Sequence, residues 1–249
     1  MQAALDLTRA LDGHLTCVDV TPLSNFVGDF DGVAQAMVLE DERQGEAANR
    51  IALETRLANE EVAWDWIDTT GDVTACLMRE AGLADLIVVN CKRDTLLAME
   101  PRGVVASVVT EARCPIVAMP DQLRGLDVGG AAVVAWDGSA PVMETLRASV
   151  PLLKLAKSVR LFAVEDGGKG TPAEAAAAYL SRHGIHADIE RVAANGQKPD
   201  VRILEACAAS GASYCVMGAF GQGRLTEEVF GGVTRRMLDA AQLPLVMGR

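Results

Sequence analysis

The stretch Ala131–Val164 reads AAVVAWDGSAPVMETLRASVPLLKLAKSVRLFAV. Two apolar runs, Ala131–Ala135 and Val159–Val164, enclose a segment with helical spacing, Ala140–Ala156. Short apolar strands that alternate with amphipathic helices are typical of a parallel sheet covered by helices on both faces. This stretch therefore predicts the first strand–helix–strand unit of an α/β protein.

The same alternation continues to the end of the chain. Further strands are predicted at His186–Val192, Tyr214–Met217 and Pro244–Met247, and further helices at Thr171–His183, Pro199–Ser210 and Gly231–Ala241. Strands joined by crossover helices in this way form a doubly wound parallel sheet of flavodoxin-like or Rossmann-like type. We therefore predict one five-stranded domain at residues 130–249, with the strand order 3-2-1-4-5.

The first part of the chain, residues 1–122, repeats this scheme. Its predicted helices are Met1–Leu11, Asp41–Asn59, Gly71–Ala81 and Pro101–Glu111, and its predicted strands are Leu15–Val20, Val62–Asp68, Asp85–Asn90 and Pro115–Met119. In residues, ALDGHLTCVDV matches LAKSVRLFAVED, ADLIVVN matches ASYCVMG, and ARCPIVAMP matches AQLPLVMGR. The repeat of whole strand–helix units predicts two tandem homologous domains, joined around Pro120–Gly130.

The first domain lacks one predicted element, the strand that precedes its first helix. The second domain opens with AAVVAWDGS, whereas the first opens directly with helix Met1–Leu11. The first strand of a doubly wound sheet is central, so its loss is expected to expose two strand edges. Either the natural start lies upstream of Met1 or another segment fills the gap, and we favour the first explanation.

Charge and composition argue against several classes of partner. The 249 residues include 23 Lys and Arg against 34 Asp and Glu, a net charge of -11, so a basic nucleic-acid footprint is missing. No apolar run approaches the roughly 20 residues of a membrane span, and the N-terminus lacks a signal-peptide layout. The six cysteines form no CxxC pair. We expect a cytoplasmic protein without nucleic-acid, membrane or metal partners.

A glycine-containing segment, Gly218–Thr234, follows the fourth strand of the second domain and leads into its last helix. It reads GAFGQGRLTEEVFGGVT and contains no GxxxxGK[ST] motif. Glycines permit close backbone approach, and a helix N-terminus offers unpaired N–H groups to an anion. The segment is therefore either a phosphate cradle or a set of turn and packing glycines.

At this segment the sequence resembles the universal stress protein family in its tandem two-domain form. Nucleotide-binding members carry G-x2-G-x9-G-[ST], and this chain has Gly218, Gly221, Gly231 and then Gly232 in place of the hydroxyl residue. WDGS at Trp136–Ser139 is similar to the family's DGS, and both halves follow the family's element order. The resemblance thus covers essentially the whole chain.

The resemblance implies that ATP, accompanied by Mg²⁺, binds in the second domain. The residues it implies around the adenine and ribose are Ala135, Trp136, Asp137, Val164, Met217 and Gly218. Those implied around the phosphates are Gly221, Gly231, Gly232, Val233 and Thr234. Asp137 has an alternative role as a helix cap. Gly232 removes one hydroxyl from the phosphates, which is worth about 1.5–3 kcal/mol when a charged group is involved.

The first domain departs further from the family pattern and is interpreted as a degenerate structural partner. Asn90 and Arg93 stand where Gly218 and Gly221 stand in the second domain, and Arg102 and Gly103 stand for Gly231 and Gly232. The resemblance also implies that the last strands, Pro115–Met119 and Pro244–Met247, pair antiparallel as an intramolecular pseudo-dimer. A homodimer is a further expectation.

The function implied is that of a stress-response regulator that binds ATP without being an enzyme. Its partners would then be the nucleotide and other proteins. The alternative is a scaffold of the same fold that binds no nucleotide, which the glycine at position 232 favours.

Overall fold

The computed structural model describes residues 1–22, 48–90, 101–165, 170–219 and 232–249. The helices are α1 (Gln2–Ala10), α2 (48–58), α3 (Val73–Glu80), α4 (Pro101–Glu111), α5 (Ala140–Ala148), α6 (Val150–Leu153), α7 (Ala173–Arg182), α8 (Pro199–Ser210) and α9 (Gly232–Ala240). The strands are β1 (His14–Pro22), β2 (Ala63–Gly71), β3 (Ile87–Asn90), β4 (Ile116–Met119), β5 (Ala131–Ala135), β6 (Ser158–Glu165), β7 (Ala187–Ala193), β8 (Ala212–Gly218) and β9 (Leu245–Gly248).

A seven-stranded sheet runs in the order β3-β4-β9-β8-β5-β6-β7. Its second-half part, read from β7 to β9, is parallel and has the order 3-2-1-4-5, as predicted. The α/β class and the doubly wound arrangement are therefore confirmed. The division at residues 122 and 130 stays a prediction.

Successive strand residues point to opposite faces of the sheet, and here the residues on both faces are apolar. Helices therefore cover both faces. On one face, Val134 of β5 and Val216 of β8 share a core with α1, α5 and α7. On the other, Val133 and Cys215 share a core with α4, α8 and α9. Both faces are thus apolar, which explains why the strands read as continuous apolar runs.

The predicted antiparallel pairing of the last strands is confirmed. β4 and β9 pair with Ile116 opposite Met247, Val117 opposite Val246 and Ala118 opposite Leu245. All six residues are buried. Backbone hydrogen bonds between these strands therefore join the two halves of the chain through a dry seam.

The first half differs from the second at the position of the missing strand. In the second half β5 lies between β6 and β8, whereas the corresponding strands β1 and β3 belong to separate sheets. No residue from His14 to Thr21 is buried, but Val159, Leu161 and Phe162 of β6 are. In the described part of the chain no strand lies between β1 and β3, so these strands belong to two sheets and β1 is poorly covered.

One predicted helix, Ala140–Ala156, is wrong in its extent. The structure has α5 ending at Ala148 and a separate short helix, α6, with Pro151 in its first turn. Proline lacks the N–H that would continue the α5 ladder, and Ser149 between the helices has ψ near 0°. Apolar spacing runs through both helices, so the break was hidden from the periodicity.

Tyr214 of β8 fixes this sheet to α6 and provides a pH-dependent test of its packing. Its ring is fully buried, and its hydroxyl lies 3.4 Å from the carbonyl oxygen of Leu152. Burial, with a smaller contribution from Asp127, raises the pKa of Tyr214 above its usual value. The unfolded chain therefore loses this proton first as the pH rises.

We expect the free energy of unfolding to decrease as pH increases above about 10, by up to 1.4 kcal/mol per pH unit from this group. Below that pH the contribution is fully present. Urea unfolding of the wild type and of Tyr214→Phe at pH 8 and pH 11 measures this contribution. The cysteine thiols whose pKa is also raised are present in both proteins, so their effect cancels in the comparison. Equal losses between the two pH values in both proteins would contradict the assignment.

Candidate functional site

The carboxyl ends of β5 and β8 form the candidate site. These two strands are parallel neighbours, but the chain leaves β5 toward β6 on one side and leaves β8 toward β9 on the other. Crevices in doubly wound sheets open where the connections diverge in this way. Helix α9 joins β8 to the parallel β9, so its N-terminus lies at the same edge.

The strand β5 ends in two buried residues, Ala135 and Trp136. The indole of Trp136 is 5% exposed, and its Nε1 donates a hydrogen bond of 2.8 Å to the carbonyl oxygen of Thr171. The ring therefore belongs to the core, and the backbone at this position is the part that faces the edge.

Asp137 is exposed directly after Trp136. Its Oδ1 accepts a hydrogen bond of 2.9 Å from the backbone N–H of Ser139, which precedes helix α5. The carboxylate thus holds the turn before α5 but does not cap this helix, whose N-cap is Ser139. Among the described residues the second oxygen of Asp137 has no hydrogen-bond partner. That oxygen is open to a ligand hydroxyl. The Oγ of Ser139 is itself buried without a described partner.

Two loops close against each other beside Asp137. Gly138 has φ of +68°, and its carbonyl oxygen accepts a hydrogen bond of 2.9 Å from the N–H of Thr171. A Cβ on Gly138 would lie 2.6 Å from the carbonyl carbon of Gly170, and one on Gly170 would meet the carbonyl oxygen of Asp137. Only glycines allow this backbone-on-backbone contact, which fixes the position of Asp137.

The end of β8 packs closely against α5. Met217 is buried and Gly218 is half-buried, and a Cβ on Gly218 would lie 2.5 Å from the backbone nitrogen of Val142. Val164, near the end of β6, is half-buried. Gly218 therefore serves packing, as one reading of the glycine segment predicted, while its backbone remains at the edge of the sheet.

Helix α9 opens on three residues that the resemblance assigns to the phosphates. Gly232 is exposed, Val233 is half-buried and Thr234 is 4% exposed. The first N–H groups of a helix have no intrahelical partner, so this turn offers donors to an anion. Gly221 and Gly231 lie outside the described residues.

Two residues at α9, Arg236 and its partner Asp200, were not identified from the sequence motif. Arg236 Nε donates a hydrogen bond of 2.7 Å to Oδ1 of Asp200, which is buried in the first turn of α8. Arg236 Nη1 lies 2.7 Å from the position that a Cβ of Gly232 would take. Asp200 is 36 residues from Arg236 in the chain, so no local pattern could have joined them.

At the corresponding edge of the first half, the structure describes only some of the residues that match the glycine segment. Asn90 is exposed at the end of β3, and Arg93 lies outside the described residues. Arg102 and Gly103 lie in the first turn of α4, as Gly232 lies in the first turn of α9. The first domain as a degenerate partner therefore stays a prediction.

None of the five cysteines that the structure describes contributes a reactive group to the edge of the second half, and Cys91 lies outside the described residues. A hydrogen bond with Cys207, together with burial, raises the pKa of the Cys215 thiol, which therefore stays protonated at neutral pH. Burial also raises the pKa of Cys17 and Cys114. The cysteines within the described ranges are free, and no group of three potential metal ligands occurs there. No helix in those ranges is long and apolar enough to cross a membrane.

Comparison with known proteins identifies relatives by structure alone. No protein-family model matches the chain, and no curated protein matches it. A universal stress protein from Archaeoglobus fulgidus DSM 4304 is 16% identical, with a TM-score of 0.73 over 99% of this chain and 89% of that one. A functionally unknown protein from Pseudomonas aeruginosa PAO1 is 17% identical, with a TM-score of 0.60 over 98% and 87% of the two chains. The chain therefore has the fold of a universal stress protein.

Proposed function

We propose that the second half binds ATP at the carboxyl edge of β5 and β8, and that the protein acts as a cytoplasmic stress-response regulator. One observation carries the proposal: Ala135 pairs with Met217, so Asp137 and Gly218 lie at the same edge of the sheet, and the connection that leads through α9 starts there, where the strand connections diverge. The open oxygen of Asp137 fits a ribose hydroxyl, and the N–H groups of Gly232–Thr234 fit phosphate oxygens. The stress role follows from the likeness to the named Archaeoglobus protein.

The proposed activity is binding without fast turnover. Bound nucleotide would change the surface that the second half presents to protein partners. With Mg²⁺, ATP would bring its own divalent cation, so the protein has to supply only donors for the phosphates. ATP binding would thus report nucleotide status to a partner.

A scaffold without nucleotide is the second candidate. The observation that favours it is Gly232, which lacks the hydroxyl that the family's nucleotide-binding members place there. In this case the fold would serve only as a protein-interaction surface, and the glycines at the edge would serve packing, as Gly218 does against Val142.

Titration calorimetry with ATP and Mg²⁺ separates the two candidates. We expect one site with a micromolar dissociation constant, and we expect Gly221→Val to weaken it at least tenfold because a side chain would crowd the phosphates. Gly82→Val is the matched control, since a Cβ at Gly82 meets nothing within 4 Å. It should bind ATP as the wild type does.

The scaffold candidate predicts a different set of results. No heat of binding, no thermal shift with ATP and no nucleotide in the purified protein would refute the ATP proposal. Binding that survives Gly221→Val unchanged would place the nucleotide elsewhere on the protein.

A further inference from the structure

The connection between β7 and α8 contains the dipeptide Asn195–Gly196. Of the five asparagines in the chain, Asn195 alone precedes a glycine. Asparagine is among the thermally labile residues of proteins, and the residue that follows it controls this lability. Glycine has no Cβ, so its backbone nitrogen is the least hindered one that can follow an asparagine. The dipeptide is therefore the position in the chain where chemical change at an asparagine is most strongly favoured.

The structure places this dipeptide at the centre of a tight turn. The N–H of Gln197 donates a hydrogen bond of 2.8 Å to the carbonyl oxygen of Ala194. Asn195 has φ of +47° and Gly196 has φ of +77°. Two positive values are the mark of a type I′ turn, for which Asn-Gly is the favoured sequence. One backbone hydrogen bond thus closes the turn.

The two groups that could react with each other are both accessible. Residues 195–198 are exposed. In the described part of the chain, neither the side-chain amide of Asn195 nor the backbone N–H of Gly196 has a hydrogen-bond partner. A Cβ at Gly196 would meet nothing within 4 Å, so the space around this residue is open. No contact has to be broken to free either group.

We infer that Asn195 is a modification site, at which the folded protein loses ammonia and forms aspartyl and isoaspartyl residues. The backbone nitrogen of Gly196 attacks Cγ of Asn195 and gives up its proton. The bond between Cγ and the amide nitrogen breaks, and ammonia leaves. The cyclic succinimide that remains takes up one water molecule, so the step needs no oxidant, reductant or cofactor.

Water can open the succinimide at either of its two carbonyl carbons. If the bond from the ring nitrogen to Cγ breaks, an aspartyl residue with a normal backbone results. If the bond from the ring nitrogen to the main-chain carbonyl carbon breaks, an isoaspartyl residue results, and its main chain runs through Cβ and Cγ. Both products are therefore expected from one intermediate.

The turn slows ring closure but does not prevent it. The backbone has to rotate before the nitrogen of Gly196 can reach Cγ of Asn195, and the hydrogen bond from Gln197 opposes this rotation. Exposed connections open locally at little cost in free energy, and glycine has more backbone freedom than other residues. The reaction is thus expected in the folded protein and not only in the unfolded chain.

The modification changes both the charge and the backbone of the connection that leads into α8. Either product adds one negative charge to a net charge of -11. The isoaspartyl product also adds one carbon to the main chain between Ala194 and Gln197, so the turn cannot close with its present geometry. Its free α-carboxylate is the group that isoaspartyl methyltransferases esterify, which makes these repair enzymes the class of partner for the modified chain.

Incubation of the full chain at pH 8, in native buffer and in urea, tests the inference. Trypsin releases residues 192–202 as one peptide because Lys198 precedes Pro199, and tandem mass spectrometry locates the change within it. We expect a time-dependent conversion of amide to acid at Asn195 in the native sample, beyond that in a sample digested at time zero. An isoaspartyl methyltransferase should methylate the same peptide.

Asn59 is the internal control in the same digest. It is also exposed, but its amide nitrogen donates a hydrogen bond of 2.7 Å to the carbonyl oxygen of Thr55, and Glu60 follows it. A side chain on the next residue hinders the attacking nitrogen. Asn59 should therefore stay unmodified over the time in which Asn195 reacts.

Two variants remove the reaction in different ways. Asn195→Gln should lose the signal, because glutamine has to close a larger ring. Gly196→Ala keeps the amide of Asn195 but places a methyl group beside the nitrogen, so the conversion should slow. Gly184→Ala is its matched control: Gly184 also has a positive φ, +78°, and open space around its Cβ position. It should leave the conversion at the wild-type rate.

The outcomes divide clearly. Conversion of Asn195 in urea alone would overturn the inference, because the folded turn would then keep the nitrogen away from Cγ. Equal rates in the wild type and Gly196→Ala, or an aspartyl product without isoaspartyl, would overturn it too, since direct hydrolysis by water needs no ring. Conversion in native buffer, slowed by Gly196→Ala and accompanied by methylation, supports it. None of these results depends on the proposed ATP site.

Discussion

A Val246→Asp variant is expected to lose about 3–5 kcal/mol of unfolding free energy, the range for an uncompensated buried charge. Val246 is 0% exposed in the middle of β9, opposite Val117 of β4 on one side and Val216 of β8 on the other. A carboxylate there meets only apolar neighbours and has no cation to pair with. Because β9 joins the strands of both halves, the loss should appear in a single transition that affects both.

Urea unfolding followed by far-ultraviolet circular dichroism and by tryptophan fluorescence measures this loss. Val201→Asp makes the same chemical change at a site that is 39% exposed on α8, and it should stay within about 0.5 kcal/mol of the wild type. Equal stability of the two variants would mean that the β4–β9 seam is not buried in solution. Loss confined to the second half would mean that the seam does not couple the halves.

The two strands of this seam could be predicted from the sequence because they belong to a repeat, and their antiparallel pairing was implied by the family resemblance. The match of ARCPIVAMP with AQLPLVMGR placed Pro115 against Pro244, and the two strands that follow are the ones that pair. Every strand of the second half was predicted: most are runs of apolar residues bounded by turn residues, and His186–Val192 mixes apolar with polar residues between turn residues. Periodicity and repetition are local signals, so they survive in a single sequence.

The parts that could not be predicted depend on contacts between distant residues. The break at Ser149 was hidden because apolar spacing continues across it. The pair of Arg236 and Asp200 joins two helices whose sequences contain no shared motif. The glycine motif directed attention to Gly232 as a loss, whereas the structure places a guanidinium against it. Local patterns therefore direct attention to backbone positions, whereas contacts between distant side chains are visible only in the structure.

A Gly138→Ala variant is expected to lose about 2–5 kcal/mol of unfolding free energy and most of its ATP affinity. The residue has φ of +68°, which costs an alanine roughly 1–2 kcal/mol. The added Cβ would also collide with the backbone nitrogen and oxygen of Thr171, and overpacking costs about 1–3 kcal/mol more. Two hydrogen bonds would be strained: the one that Thr171 N–H donates to the carbonyl oxygen of Gly138, and the one that Trp136 Nε1 donates to the carbonyl oxygen of Thr171.

Gly184→Ala separates these two contributions. Gly184 has φ of +78°, but a Cβ there would meet nothing within 4 Å. Its substitution should therefore cost only the conformational part, about 1–2 kcal/mol, and should leave ATP binding unchanged. The additional loss of unfolding free energy in Gly138→Ala, relative to Gly184→Ala, measures the contact between the loops after β5 and β6. If that excess is absent, these loops are not packed in solution. If it is present but ATP binds normally, the turn that holds Asp137 does not position the nucleotide.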